Sequence, residues 1–101
     1  MTTWFISRHP GAKAWVKRKG ISIDRWCDHL SDIRDIQAGD VVMGTLPIHL
    51  AGEVCARGAT FYFLSIEILP HQRGQELTAD DLNNGQARLI KYFVKKEEHD
   101  E

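Results

Sequence analysis

Cysteine and long apolar runs are both scarce in this chain, and each scarcity removes a class of protein. Only Cys27 and Cys55 are present, far apart and without C-x-x-C spacing, so neither a disulfide framework nor a zinc knuckle has support. Two reduced, largely buried thiols are expected. No apolar stretch approaches the ~20 residues needed to span a bilayer. The amino terminus has no basic region, apolar run and small-residue cleavage site of the signal-peptide kind. The expectation is therefore a cytoplasmic protein with no membrane partner. Charge of one sign is lacking as well: 13 Lys and Arg stand against 14 Asp and Glu, a net charge of −1, which argues against a broad grip on long nucleic acid. The balance hides an asymmetry. Arg8, Lys13, Lys17, Arg18 and Lys19 gather near the amino end, and Glu97, Glu98, Asp100 and Glu101 close the chain.

What is present is ordinary globular composition, 43% hydrophobic and 27% charged over 101 residues. That is enough for one hydrophobic core and excludes a second domain. The expected organisation is a single domain over residues 1–94, followed by a solvated charged tail over 95–101.

Thr3 to Ser7 is β-branched and aromatic, and ends at the polar turn Arg8-His9-Pro10-Gly11, the pattern of a buried strand feeding a helix. From Gly11 to Lys19, Ala12, Trp15 and Val16 fall at helical spacing, with Gly20 as the stop. A short edge strand is expected near Ile23 to Trp26. Gly39-Asp40 signals a turn, Val41 to Thr45 reads as a fully buried strand, and Pro47 suits the first position of a helix. The apolar stripe Leu50, Ala51, Val54 and Cys55 continues that helix to Gly58. Phe61 to Ile66 is the strongest strand, followed by a polar loop from Pro70 to Glu76. Thr78 and Asp81 form a capping-box pattern expected to open a last helix, with Leu82, Gln86, Leu89, Ile90, Phe93 and Val94 on its buried face.

Alternating strands and helices with short loops predict a minimal Rossmann-like α/β sandwich, a mostly parallel sheet with helices on its faces. In such sheets ligands bind beyond the carboxyl ends of the strands. The residues expected there are Ser7, Arg8 and His9, then Gly44, Thr45, Leu46 and Pro47, then Ser65 and Glu67. Two of these loops lead into helix amino termini, where unpaired N–H groups favour an anion. Arg8 suits a forked contact to phosphate, Ser7 and Thr45 can donate hydroxyls, and His9 can trade protons near neutral pH. Each has a plainer alternative. A turn histidine ahead of proline is by default a surface or capping residue, an arginine at a strand end is by default solvated, and Ser or Thr in such places usually caps a helix. Arg73 and Glu76 sit in a loop long enough to favour function over mere connection. His49 and His71 have no metal-ligand spacing, so no metal and no cofactor are expected. P-loop, Gly-x-Gly-x-x-Gly and nucleophile-elbow motifs are all missing.

The segments Trp4 to Ala12, Gly39 to Pro47 and Ala51 to Ala59 together resemble the Csx-sixteen family of CRISPR-associated proteins. The likeness runs from about Thr3 to Phe93 and is most specific at Ser7-Arg8-His9-Pro10-Gly11 and Gly44-Thr45-Leu46-Pro47. Arg73 to Leu77 also has a familial look. The resemblance implies a fold like that of the CARF sensor domains and a cytoplasmic ring nuclease that degrades cyclic tetra-adenylate, the messenger of type III CRISPR signalling. It further implies metal-independent attack by the ribose 2′-hydroxyl on its own phosphorus, leaving a 2′,3′-cyclic phosphate. A two-fold symmetric homodimer would present two copies of the loops to the ring. On that reading Arg8 is the phosphate clamp, His9 the acid, base or orienting group, and Ser7 and Thr45 are phosphate or ribose contacts, with the loop of Arg73 and Glu76 closing over the ring. Two alternatives stand beside it: a non-catalytic sensor or sponge for the same messenger, and a structural adaptor, which predicts an exposed apolar patch in place of a charged pocket.

Overall fold

A computed structural model describes residues 1–97. Four parallel strands, β1 (Thr3–Ile6), β2 (Arg25–Cys27), β3 (Val41–Gly44) and β4 (Thr60–Ile66), are joined by an antiparallel edge strand, β5 (Ala87–Tyr92). The sheet order is β2-β1-β3-β4-β5. Helix α1 (Pro10–Arg18) connects β1 to β2, and α2 (Ile48–Ala56) connects β3 to β4. No helix among the described residues is long and apolar enough to cross a membrane.

The side-chain alternation of the strands decides which helix covers which face. Phe5 and Leu64 point to one side and pack with Ala12, Trp15 and Val16 of α1. Trp4, Ile6, Val42 and Phe61 point to the other and pack with Ala51, Val54 and Cys55 of α2. All four residues of β1 are buried, as expected for a central strand sandwiched between helices. Phe5 alone, with no exposed surface, contributes about 1.5–3 kcal/mol by leaving water. Both cysteines are free, Cys55 buried and Cys27 half-buried. Gly20 and Gly58, the expected helix stops, both have positive φ.

Three sequence expectations need correction. The edge strand is real but covers Arg25–Cys27 instead of Ile23 to Trp26. Pro47 is the residue before the α2 helix, not its first turn. The larger correction concerns the carboxyl-terminal third. The capping box of Thr78 and Asp81 forms, with Thr78 Oγ1 accepting from the Asp81 N–H at 3.2 Å. The helix it opens, α3 (Ala79–Asp81), lasts one turn and runs into a π turn over Leu82–Gln86. The chain then reverses at Gly85, φ +88°, and Ala87–Tyr92 pairs with β4 instead of continuing a helix. Leu89, Ile90, Phe93 and Val94 therefore do not share a helical face, and Phe93 is 78% exposed. Leu82 is buried as expected, but as part of the turn. The expected tail is exposed over 95–97, and 98–101 lie outside the described residues.

Candidate functional site

The order β2-β1-β3-β4 places the point where successive connections diverge between β1 and β3, where open α/β sheets bind ligands beyond their strand ends. A cleft of about 270 Å³ opens there. Its walls come from three separate loops: Arg8 after β1, Asp28 and His29 after β2, and Thr45, Leu46 and Pro47 after β3. Gly44 sets the width of the floor. Its φ is +132°, and a Cβ there would lie 1.9 Å from the Ile6 carbonyl oxygen. Only a residue without a side chain lets β3 come this close to β1, which allows the Thr45 N–H to donate to the Ile6 carbonyl at 3.0 Å.

The loop after β1 is folded on itself. Ser7 is buried, and its Oγ accepts from the His9 N–H at 3.1 Å. His9 is the N-cap of α1, its Nδ1 accepting from the Ala12 N–H at 3.1 Å. An accepting Nδ1 is unprotonated, so the neutral ring carries its proton on Nε2. The capping alternative for His9 is thus what the fold contains. Arg8, between these two anchored residues, is exposed and forms no hydrogen bond or ion pair among the described residues. Its guanidinium is available to an anion. The amino terminus of α2 opens beside it with no side-chain cap and no acidic residue in its first turn, so the positive end of its dipole is not neutralised from within.

The loop after β2 was missed by sequence reasoning. With the edge strand placed at Ile23 to Trp26, Asp28 and His29 fall outside the strand-end set. The true register pairs Cys27 with Ile6, and the Ser7 N–H donates to the Cys27 carbonyl at 3.0 Å. Asp28 and His29 therefore emerge level with Arg8. Lys13 of α1 pairs with Asp28 at 2.6 Å. That hydrogen bond and the lysine charge hold the Asp28 carboxyl below its ordinary range, with smaller help from the charges of His29 and Arg8. Asp28 stays an anion and is committed to Lys13. The signal that could have found this loop was the run Arg25-Trp26-Cys27, which carries the strand as far as Cys27 before the polar turn Asp28-His29.

Other expected site residues lie elsewhere. Ser65 sits within β4, opposite Arg88, outside the cleft. Arg73 and Glu76 are exposed and do not line it. Their loop is fastened at both ends: the Gln86 Nε2 donates to Gln72 Oε1 at 2.7 Å and to the Glu67 carbonyl at 2.8 Å, and Leu77 is buried against Gly11, where a Cβ would lie 2.0 Å from the Leu77 carbonyl oxygen. A second groove, of about 940 Å³, runs between α2 and the segment after β5 and is lined by Ile48, Gly52 and Phe93 with His49, Glu53 and Lys95. Among the described residues no group of three or more His, Cys, Asp or Glu side chains is placed to hold a metal ion.

These features describe a small α/β domain with a cleft at its strand ends that carries Arg8, Asp28 and His29. The chain belongs to the family described as "Putative CRISPR-associated protein (Cas_VVA1548)", which it matches over residues 4–95. No curated protein and no solved structure matches it.

Proposed function

We propose that this CRISPR-associated protein is a cytoplasmic ring nuclease of the Csx-sixteen kind, which binds and cleaves cyclic tetra-adenylate. The observation that carries the reading is convergence. Ser7 to Gly11 and Gly44 to Pro47, the two segments that most resemble that family, are more than thirty positions apart in sequence, and meet across one cleft between β1 and β3.

In the proposed reaction the ribose 2′-hydroxyl attacks its adjacent phosphorus in line with the departing 5′-oxygen, which leaves a 2′,3′-cyclic phosphate and a 5′-hydroxyl. The protein's task is alignment and stabilisation of charge on the phosphoryl oxygens. Arg8 clamps the phosphate, helped by the uncapped start of α2, and Thr45 contacts phosphate or ribose. Ser7 and His9 hold the Arg8 loop in shape from beneath. A cleft of about 270 Å³ is smaller than the ~300–1,000 Å³ of sites that enclose a whole small molecule. It suits one phosphate with its ribose, so a homodimer offering two clefts to one ring is part of the proposal. Arg73, Glu76 and Ser65 would contact the ring only from outside the cleft.

Replacing Arg8 by Ala is expected to weaken binding of cyclic tetra-adenylate by about 10- to 100-fold, the worth of one charge-assisted contact, with no change in melting temperature. Isothermal titration checks it, and an unchanged Kd would remove Arg8 as the clamp. The use of the His9 Nδ1 as a helix cap favours a second reading, a sponge that binds the messenger without cleaving it.

A further inference from the structure

Resting on the ring-nuclease reading, we propose that His29, rather than His9, is the catalytic residue that accepts the 2′-hydroxyl proton. Four histidines lie among the described residues: His9, His29, His49 and His71. His9 spends its Nδ1 on the α1 cap. His49 lines the groove beside α2, and His71 stands in the 3-10 turn at Pro70–Gln72 outside both hollows. His29 alone of the four lines the strand-end cleft, and neither of its ring nitrogens makes a hydrogen bond among the described residues.

Its position is held from both sides. Asp28 before it is pinned to α1 by the Lys13 ion pair at 2.6 Å, and Leu30 after it packs against the core on the α2 side of the sheet. Anchored neighbours fix where the His29 backbone meets the cleft, while its exposed ring is free to turn toward a bound phosphodiester. The charged groups around it are Asp28 at the end of β2, Lys13 on α1 and Arg8 at the end of β1. The wall from β3 and α2 brings Thr45, Leu46, Pro47 and Leu50, none of them ionised. Lys13 holds the Asp28 carboxyl below its ordinary range, which makes it the weaker proton acceptor of the two neighbours, and imidazole is the side-chain type suited to the exchange near neutral pH.

The step balances without any further reactant. An imidazole nitrogen of His29 takes the 2′-hydroxyl proton as the O2′–P bond forms. The P–O5′ bond breaks, and the departing 5′-oxygen takes a proton from water at the open mouth of the cleft. Arg8 holds the non-bridging oxygens during the exchange. His9, by contrast, is a positioning residue that acts through the cap of α1.

The test compares wild type, His29→Ala and His9→Asn with cyclic tetra-adenylate in excess EDTA, measuring single-turnover cleavage and Kd separately. His29→Ala is expected to cut about 10²- to 10⁴-fold more slowly with unchanged Kd and melting temperature, and added imidazole should restore part of the rate because the site is open to solvent. His9→Asn keeps an N-cap oxygen and is expected to cleave within a few-fold of wild type. A His29→Ala protein that cleaves at the wild-type rate overturns the assignment while leaving the ring-nuclease reading intact, as does loss of cleavage in His9→Asn with His29→Ala active. A wild-type protein that binds the ring without cutting it overturns both.

Discussion

Alanine at position 44 is expected to cost the fold about 4 kcal/mol of stability or more. The added Cβ would sit 1.9 Å from the Ile6 carbonyl oxygen and 2.8 Å from its carbon. Those atoms belong to the backbone of β1, the strand buried on both faces, so neither strand can step aside without losing the Thr45 to Ile6 hydrogen bond and the packing of Ile6. The backbone at Gly44 also has φ +132°, a conformation that costs an alanine about 1–3 kcal/mol by itself. Together the two effects come to about 4 kcal/mol or more, a large part of the ~5–15 kcal/mol by which domains are stable. Urea unfolding monitored by tryptophan fluorescence measures it. A midpoint indistinguishable from wild type would mean that β3 does not approach β1 as described.

Removing the Asp40 carboxylate is the second large effect, at the opposite end of the same strand. Asp40 is buried and accepts from the Thr2 N–H at 2.9 Å, the Gln37 N–H at 3.0 Å and the Trp4 indole N–H at 3.3 Å. Burial pushes its pKa up, but the donors from Gln37, Thr2 and Trp4 together with the amino-terminal charge outweigh burial, so the net shift is downward. Asp40→Ala leaves three donors without their acceptor and is expected to cost about 2–4 kcal/mol. Because the folded-state pKa is depressed, the carboxylate's contribution is complete above the unfolded-state value of ~3.9 and is lost as pH falls through the lower folded-state value. Wild type should therefore lose stability below about pH 4 more steeply than Asp40→Ala. Parallel slopes in a series of denaturation midpoints against pH would contradict this role. The strand-end cleft is remote from Asp40 along β3, so ligand binding by the folded variant should survive.

The contrast between these positions shows why the amino-terminal two-thirds of the fold was legible in sequence and the last third was not. In Val41 to Thr45 and in the stripes Ala12-Trp15-Val16 and Ala51-Val54-Cys55, local propensity, periodicity and glycine stops all agree, and the strands and helices form where expected. From Leu82 onward they conflict. Leu82, Leu89 and Ile90 fit a helical face, yet Asn83-Asn84-Gly85 interrupts it, and the chain gains more by pairing Ala87–Tyr92 with the aromatic strand β4 than by extending a one-turn helix. That gain comes from contacts distant in sequence, which local patterning does not report. The site divides in the same way. Arg8 and the Gly44 to Pro47 loop follow from strand ends read correctly, whereas Asp28 and His29 depend on a three-residue edge strand whose position is set by pairing with β1. A shift of one residue at the strand's end hid them. The resemblance supplied the chemistry, and the fold supplied the geometry in which His9 became a cap and His29 came to face the cleft.

The most direct measurement is incubation of the purified protein with cyclic tetra-adenylate in excess EDTA, followed by chromatography and mass determination of the products. The account predicts linear oligoadenylates ending in a 2′,3′-cyclic phosphate. An intact ring after prolonged incubation at protein excess, whether free or bound to the protein, would contradict it.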